Sequence, residues 1–290
     1  MFFYIHVDLK SNIEDFTSRI QEKNVFFIEQ RVNCVWGDFS LVIATINLLQ
    51  NVVKTKNKNS KILFLSGQDY PIKPLSKIDN FLVLNKSYEF IDLVMYKSKE
   101  ITYQDRVLKF KINNTRKKED IRYLWPLFKF NFKNYSLFLK LLYNNKITLK
   151  DLKSLLTFKR KSIFKEHYKG SNWFVFNYQT VVKILKYIEK NKNKIYNYYY
   201  YYYYTACADE QFFHTILKEI MIYDKSIKVL PSVHYIDWTR KNTLLPVTFK
   251  VEDLNLLINQ PENLLFARKF DEKIDNKILD LIDTSINNKL

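Results

Sequence analysis

A chain of 290 residues can bury the core of one α/β domain or of two small ones. Hydrophobic residues make up 47% and aromatic residues 17% of the sequence, a composition that argues against disorder. Three glycines are too few for a P-loop or a dinucleotide-binding fingerprint, because both need clustered glycines to admit phosphates close to the backbone.

The formal net charge of +17 predicts attraction to anions, which include nucleotides, nucleic acid, acidic glycans and the anionic face of a membrane. The alternative is an AT-rich genome, since Lys, Asn, Ile, Tyr and Phe are abundant together. Two cysteines form no disulfide framework, and no apolar run reaches the length of a membrane span. The first residues resemble a strand rather than a signal peptide. We therefore expect a cytoplasmic protein, free or bound peripherally to the inner face of the membrane.

The first third of the chain alternates short apolar segments with amphipathic ones, which is typical of an α/β sheet. The predicted strands are 2–7, 25–28, 62–65 and 88–91. The predicted helices are 11–21, which begins at a capping-box pattern from Ser11 to Glu14, 39–53, and a short helix from Ser76 to about Val83.

Beyond residue 97 the pattern is less regular. Segment 97–168 is basic and aromatic without clean strand alternation, and we expect it to be partly helical. Further strands are predicted at 173–176 and 234–236, and further helices at 178–190, 209–220, 252–258 and 271–286. Residues 191–204 are of low complexity and end in seven consecutive tyrosines. Such a tract predicts a loop tip, and the alternative is a stacking surface for sugars or bases.

Five short blocks carry special residues at the ends of predicted elements. They are Ile-His-Val-Asp (5–8), Ser-Gly-Gln-Asp-Tyr-Pro-Ile-Lys (66–73), Gly-Ser-Asn-Trp-Phe-Val (170–175), Asp-Glu-Gln-Phe-Phe (209–213) and Phe-Ala-Arg-Lys-Phe-Asp (266–271). In this order they resemble the core-2/I-branching glycosyltransferase family, glycosyltransferase family 14. The resemblance extends from residue 5 to about residue 275.

The resemblance implies a GT-A-like α/β fold with a central mixed sheet flanked by helices. It implies a single domain, with a nucleotide-sugar-binding part at 1–95 and an acceptor-binding and catalytic part at 96–290. The implied activity is inverting transfer of a sugar from a UDP-sugar to a hydroxyl of a glycan or glycolipid, building a β-linked branch on a surface or capsular glycan. GlcNAc is the favoured sugar, with xylose and glucuronate as alternatives.

Asp209 and Glu210 form a carboxylate pair at the start of a predicted helix. The helix N-terminus favours the ionised form, whereas a neighbouring carboxylate raises a pKa toward the working range of a general base. An ordinary pair of helix-capping acids is the alternative. The resemblance implies that Glu210 is the base that deprotonates the acceptor hydroxyl, and that Asp209 lies beside the acceptor.

The leaving diphosphate needs a positive partner. Many GT-A enzymes hold a divalent ion with an Asp-x-Asp motif, which this sequence lacks. A fixed cation can stabilise the same charge, and the resemblance assigns this role to Lys269. It therefore implies catalysis without metal or other cofactor. The second cation does not map cleanly; Arg240, Lys241, Lys250 and Arg268 are the candidates, and we count Arg268 among the nucleotide-sugar-binding residues. The alternative for Lys269 is a solvated charge in a basic tail.

Three further residues match less specific positions. Asp8 resembles an acid that contacts the uracil, with a helix-capping or turn residue as the alternative. Trp238 resembles an aromatic residue that lies against the acceptor sugar, since flat rings suit the C–H face of a pyranose; a core tryptophan is the alternative. Arg106 resembles an acceptor-binding arginine. His6, His214 and Cys207 show no metal-ligand spacing.

The family ordinarily has a strand and a helix ahead of the block at 5–8. The sequence therefore predicts that the first strand–helix unit is lacking, with a weakened uridine site and an unpaired sheet edge. One rival hypothesis is an inactive, truncated remnant of the family. Another is a basic, aromatic protein that binds single-stranded nucleic acid, although no RNA-recognition or helix-turn-helix signature is present. The expected partners are a UDP-sugar, a glycan or glycolipid and an anionic membrane surface, and not nucleic acid.

Overall fold

The structure is a computed structural model that describes residues 1–115, 117, 120–129, 131–160, 162, 164–191 and 201–287. Its contacts divide the chain into two compact units, each assembled from three stretches. Unit 1 comprises Met1–Asn57, Leu93–Gly170 and Val181–Tyr223, and unit 2 comprises Lys58–Asp92, Ser171–Thr180 and Asp224–Leu290. The prediction of a single domain with two parts that meet near residue 95 stays a prediction.

Short strands and helices alternate along the whole described chain. The strands are β1 (Phe3–Ile5), β2 (Val25–Phe27), β3 (Lys61–Leu63), β4 (Asp69–Pro71), β5 (Tyr88–Phe90), β6 (Val94–Met95), β7 (Phe110–Asn113), β8 (Ile121–Leu124), β9 (Tyr168–Lys169), β10 (Val175–Asn177), β11 (Lys228–Leu230), β12 (His234–Ile236) and β13 (Phe266–Arg268). The α-helices are α1 (Glu14–Thr17), α2 (Ser40–Val53), α3 (Leu75–Leu84), α4 (Ile101–Tyr103), α5 (Phe132–Tyr143), α6 (Leu149–Leu155), α7 (Tyr178–Lys190), α8 (Phe212–Tyr223), α9 (Leu254–Ile258) and α10 (Lys277–Asn287). Gln104–Leu108 is a π-helical turn, and Ala208–Glu210 and Val251–Asp253 are 3₁₀ turns.

Unit 2 contains two mixed sheets. In the first, with strand order β11-β5-β10-β3, β11 runs parallel to β5 while β10 is antiparallel to both of its neighbours. In the second, β13 lies between β12, to which it is parallel, and β4, to which it is antiparallel. Helix α10 packs onto this unit through Ile278, Ile282 and Ile286, which are buried and share one helical face. The α/β class predicted from the sequence is confirmed.

The described residues of unit 1 form three two-stranded pairs. β1 and β2 are parallel, whereas β6 pairs with β9 and β7 pairs with β8 in antiparallel register. The sequence did not predict β7 and β8, because the segment lacks polar and apolar alternation. Their residues Phe110, Ile112 and Leu124 are buried together with Phe138 of α5 and Leu155 of α6, so tertiary packing determines this hairpin.

Several predicted helix starts are displaced. The capping box at Ser11 does not form, since α1 follows Ile13, and α3 begins at Leu75 directly after Pro74 rather than at a Ser76 cap. The last helix begins at Lys277 rather than near residue 271. Strands β4, β11 and β13 have three residues each and were not predicted, because such short segments carry too little periodicity.

The tyrosine run is a core element where it is described. Tyr201, Tyr202 and Tyr204 are buried and only Tyr203 is exposed, so the predicted loop tip is wrong for these residues; residues 198–200 lie outside the described part. The Tyr204 hydroxyl donates to Asp151 (2.8 Å) and the Tyr201 hydroxyl to a backbone carbonyl (3.0 Å), which satisfies their polar ends. Three buried rings are closed to sugars and bases, which removes support for a stacking surface.

A membrane-spanning helix is not found: across the described residues, every helix is too short or too polar to cross a bilayer.

Candidate active site

The Asp209–Glu210 pair lies on the 3₁₀ turn that immediately precedes α8, rather than on the first turn of that helix. The turn follows Cys207, whose backbone adopts a left-handed conformation (φ 49°) and whose N–H donates to the Gly37 carbonyl (3.0 Å). The Glu210 side chain is 36% exposed, whereas Asp209 is 8% exposed. The turn therefore presents one carboxylate to solvent and buries the other.

Arg106 and Glu210, two of the predicted site residues, are in direct contact. Arg106 Nη1 donates to Glu210 Oε2 at 2.7 Å. Arg106 lies on the π-helical turn Gln104–Leu108, a rare geometry that is frequent at functional sites. Since an arginine is charged at any working pH, the contact is a charge-assisted hydrogen bond that orients the Glu210 carboxylate.

The buried carboxyl group of Asp209 has a strongly raised pKa. Burial, and then the charge of Glu210, raise the pKa of Asp209 from 3.8 to about 7. Its predicted role in acceptor binding stays a prediction, and its burial favours support of the turn over contact with a sugar.

The raised pKa predicts how stability depends on pH. Between about pH 4 and pH 7 the unfolded chain releases the Asp209 proton while the folded chain retains it, so folding stability falls as the pH rises. We expect Asp209→Asn to remove this fall. The gain in the free energy of unfolding from the substitution should be about 2–4 kcal/mol larger at neutral pH than at pH 4. Urea unfolding of both proteins at the two pH values measures this, and an equal effect at both would contradict it.

Arg160, which the sequence did not single out, joins the two segments that carry Arg106 and Glu210. It is buried, and its Nη1 donates to the carbonyls of Arg106 and Lys109, both at 2.8 Å. Its Nη2 donates to the Tyr201 carbonyl and the Thr205 hydroxyl. The guanidinium thus ties the π-helical turn to the chain that leads into the Glu210 turn. In the sequence it is indistinguishable from a solvated charge in a basic stretch.

A largely buried ion pair lies next to Gly37, the residue whose carbonyl is bonded to Cys207 at the start of this turn. Lys111 Nζ donates to Asp38 Oδ2 at 2.7 Å, and Asn113 donates to the same oxygen at 3.2 Å. Burial alone would raise the pKa of Asp38, but the charge and hydrogen bond of Lys111 hold it below its usual value. The adjacent Gly37 has φ 64°, a left-handed conformation that favours glycine, and it presents its carbonyl to Cys207.

In unit 2, three of the five sequence blocks meet around Arg268, at the end of β13. Arg268 Nη1 donates to Asp69 Oδ1 (3.1 Å) and Ser66 Oγ (3.3 Å), and its guanidinium lies 4.0 Å from the centre of the Trp173 ring. The Asp69 side chain is fully buried, and burial raises its pKa although Arg268 opposes the shift. Because Asp69 neutralises Arg268, this arginine is a weak candidate for the second diphosphate-binding cation.

Lys269 follows β13 and is half-buried. Its N–H donates to the Val247 carbonyl (3.2 Å) and its carbonyl accepts from the Phe249 N–H (2.9 Å), so its backbone pairs with segment 247–249. Lys250 is the next residue of that segment and is exposed. Arg240, another candidate for the second cation, is bonded to Asp237 (3.3 Å) and Asp253 (2.7 Å).

Asp8 and Trp238, the two remaining predicted residues, lie in different units. The Asp8 carboxylate accepts from the Lys10 N–H (2.9 Å) and pairs with Lys10 Nζ (3.2 Å), which is the geometry of a turn residue. Its contact with a uracil stays a prediction. Trp238 is 57% exposed, so it is not a core tryptophan and its indole is open to a ligand.

A metal site is not evident in the residues described: none of their His, Cys, Asp and Glu side chains form a group of three or more that could hold a metal ion. Independence from metal stays a prediction that activity must test.

Comparison with known proteins agrees with the resemblance of the five blocks. A family profile described as Core-2/I-Branching enzyme matches residues 1–257. A protein described as Xylosyltransferase oxt, from Drosophila pseudoobscura pseudoobscura, is 28% identical over 95 residues, which is 31% of this chain. The match spans only 10% of the length of that relative.

Proposed function

Because this chain belongs to the Core-2/I-branching enzyme family, a family of glycosyltransferases, we propose that it is an inverting glycosyltransferase with a GT-A-like fold. It moves a sugar from a UDP-sugar to a hydroxyl of a glycan acceptor, with Glu210 as general base and without a metal ion.

The observation that carries this proposal is the Arg106–Glu210 contact. A general base must be reachable by the hydroxyl it deprotonates and must be held in position. The Glu210 side chain is 36% exposed, and its carboxylate is oriented by Arg106 at 2.7 Å. The buried Arg160 guanidinium donates hydrogen bonds to both of the segments that carry these two residues. An ordinary pair of helix-capping acids does not account for a buried guanidinium that joins both segments.

In the proposed reaction the acceptor hydroxyl gives its proton to the Glu210 carboxylate as its oxygen attacks the anomeric carbon of the donor. The bond between that carbon and the UDP oxygen breaks in the same step, so the configuration inverts. The bonding electrons leave with the UDP diphosphate. Its growing negative charge is stabilised by Lys269, with Lys250 as the favoured second cation.

Lys250 is favoured over Arg240 and Arg268 on electrostatic grounds. Each of these arginines has carboxylate partners that already neutralise it. Lys250 is exposed and follows the segment that pairs with the Lys269 backbone. Two lysines near one another are well suited to a diphosphate, because a cation in fixed position needs no reorganisation as the charge develops.

The transferred sugar is proposed to be GlcNAc, with xylose as the alternative. GlcNAc follows from the sequence resemblance, and the relative described as a xylosyltransferase supports xylose as the alternative. The test is to incubate the full chain with UDP-GlcNAc, UDP-xylose or UDP-glucuronate and a panel of glycan acceptors, and to follow UDP release and product.

The expected product carries the sugar in the anomeric configuration opposite to that of the donor, as read by NMR. A product with retained configuration would refute inversion. UDP binding without turnover on any donor would instead support the alternative of an inactive member of the family.

A further inference from the structure

Helix α5 is apolar on two opposite faces. Its buried face carries Phe138 and Leu141, which pack into the core of unit 1. Its outward face carries Phe132, Leu139 and Tyr143, which are 89%, 61% and 89% exposed. Their spacing of seven and four residues places them in one stripe. An exposed stripe of large apolar side chains along a helix marks an interaction surface.

The neighbouring helix α6 repeats the pattern. Leu149 is 87% exposed and Leu156, one residue beyond the helix, is also exposed and lies on the same helical face. Phe128 and Phe158 are exposed as well, and their ring centres are 4.9 Å apart, which connects the chain before α5 to the chain after α6. We call the described residues of this stretch, 128, 129 and 131–159, the helix-pair surface.

The charge of the helix-pair surface has one sign. Residues 128–159 contain seven lysines and a single acid, Asp151. All of these lysines except Lys146 are exposed, and Lys133 and Lys140 border the apolar stripe of α5. Asp151 is buried, where it caps α6 and accepts a hydrogen bond from Tyr204. The surface therefore offers apolar side chains surrounded by positive charge.

We propose that the helix-pair surface docks the protein on an anionic lipid membrane. Aliphatic and aromatic side chains enter the boundary between headgroups and acyl chains, while the surrounding lysines attract anionic headgroups. A second copy of the chain fits poorly, because two surfaces with seven lysines each repel one another. Single-stranded nucleic acid matches the lysines but leaves the exposed leucines without partners, since bases stack on aromatic side chains.

The experiment is vesicle flotation of the full chain. Vesicles of phosphatidylcholine alone are compared with vesicles that contain about 30% phosphatidylglycerol, at low and high salt. We expect binding to the anionic vesicles that weakens with salt, and little binding to the neutral ones. A chain that floats with neither, or equally with both, overturns the proposal.

Two pairs of variants separate this surface from the overall charge of +17. The triple variant Phe132→Gln, Leu139→Gln, Tyr143→Gln should lose at least about tenfold in vesicle affinity, because three membrane-entering side chains are removed. The control is the triple variant Ile222→Gln, Tyr223→Gln, Leu244→Gln, which changes three exposed apolar residues elsewhere and should bind vesicles normally.

The second pair of variants tests the lysines. The double variant Lys133→Gln, Lys140→Gln should lose about tenfold in vesicle affinity. Its control, the double variant Lys58→Gln, Lys225→Gln, removes the same charge from exposed positions elsewhere and should lose less than about threefold.

Equal losses in a variant and its control would assign the binding to overall charge and overturn the proposal. Oligonucleotide binding that the α5 triple variant abolishes, without vesicle binding by the natural chain, would overturn it in favour of nucleic acid. Transfer to a soluble acceptor should be unchanged in the α5 triple variant. Vesicle flotation itself requires no catalysis, so its outcome is independent of the proposed catalytic function.

Discussion

Glu210→Gln is expected to lower the rate of sugar transfer by about two to four powers of ten while UDP binding is retained. Glutamine preserves the size of the side chain and can still contact Arg106, but it cannot accept the proton of the acceptor hydroxyl. The turnover number should therefore fall much more than the donor affinity. Single-turnover kinetics and calorimetry with UDP measure the two quantities separately.

Asp105→Asn is the matched control. Asp105 is also a partly exposed acid, lies on the same π-helical turn as Arg106 and pairs with Lys109 at 2.6 Å. The same change from acid to amide at this position should leave transfer within a few-fold of normal, since Asp105 pairs with Lys109 rather than with Glu210. Near-normal turnover in Glu210→Gln would refute its assignment as the base.

Lys269→Ala is expected to lower transfer by about two to three powers of ten, as for the loss of one preorganised electrostatic contact in the transition state. Activity of the natural chain should at the same time survive EDTA. In the proposed mechanism the Lys269 ammonium group takes the place of a divalent ion beside the leaving diphosphate. Lys273→Ala, which removes an exposed lysine four residues further along the chain, should be nearly neutral.

The same series tests the second cation. If Lys250 shares the diphosphate with Lys269, Lys250→Ala should also lower transfer strongly, whereas Lys241→Ala should not. Activity that EDTA abolishes and manganese restores would refute catalysis without metal. Full activity in Lys269→Ala would show that this lysine is a solvated charge.

Much of the candidate site was readable from the chain because it is local. Three parts of the candidate site consist of adjacent residues whose chemistry is visible without knowledge of the fold. They are the Asp209–Glu210 pair, the block at 266–271 that contains Lys269, and the block at 66–73. The α/β class follows likewise from short apolar segments separated by amphipathic ones. Strands β3, β5, β10 and β12 and helices α2, α7 and α9 lie within about two residues of their predicted bounds.

The errors arise where the pattern is short or the composition is misleading. Tyr201, Tyr202 and Tyr204 look like a surface tract, yet they are core residues because buried acceptors satisfy two of their hydroxyls. β7 and β8 lack alternation because both of their faces have contacts that depend on the fold; Lys111, for example, points inward to Asp38.

By itself the sequence determined the family, the α/β class and the identity of the acid pair, since these depend on residue type and on spacings of a few residues. Only the tertiary structure decided what those residues contact. It places Arg106 beside Glu210 across 104 positions of chain, and it neutralises Arg268 with Asp69 across 199 positions. It also buries Arg160 among carbonyl groups that belong to two separate segments. Such pairings depend on which elements pack together, and no local pattern encodes them because a charged side chain is the same residue type whether it is solvated or buried against a partner.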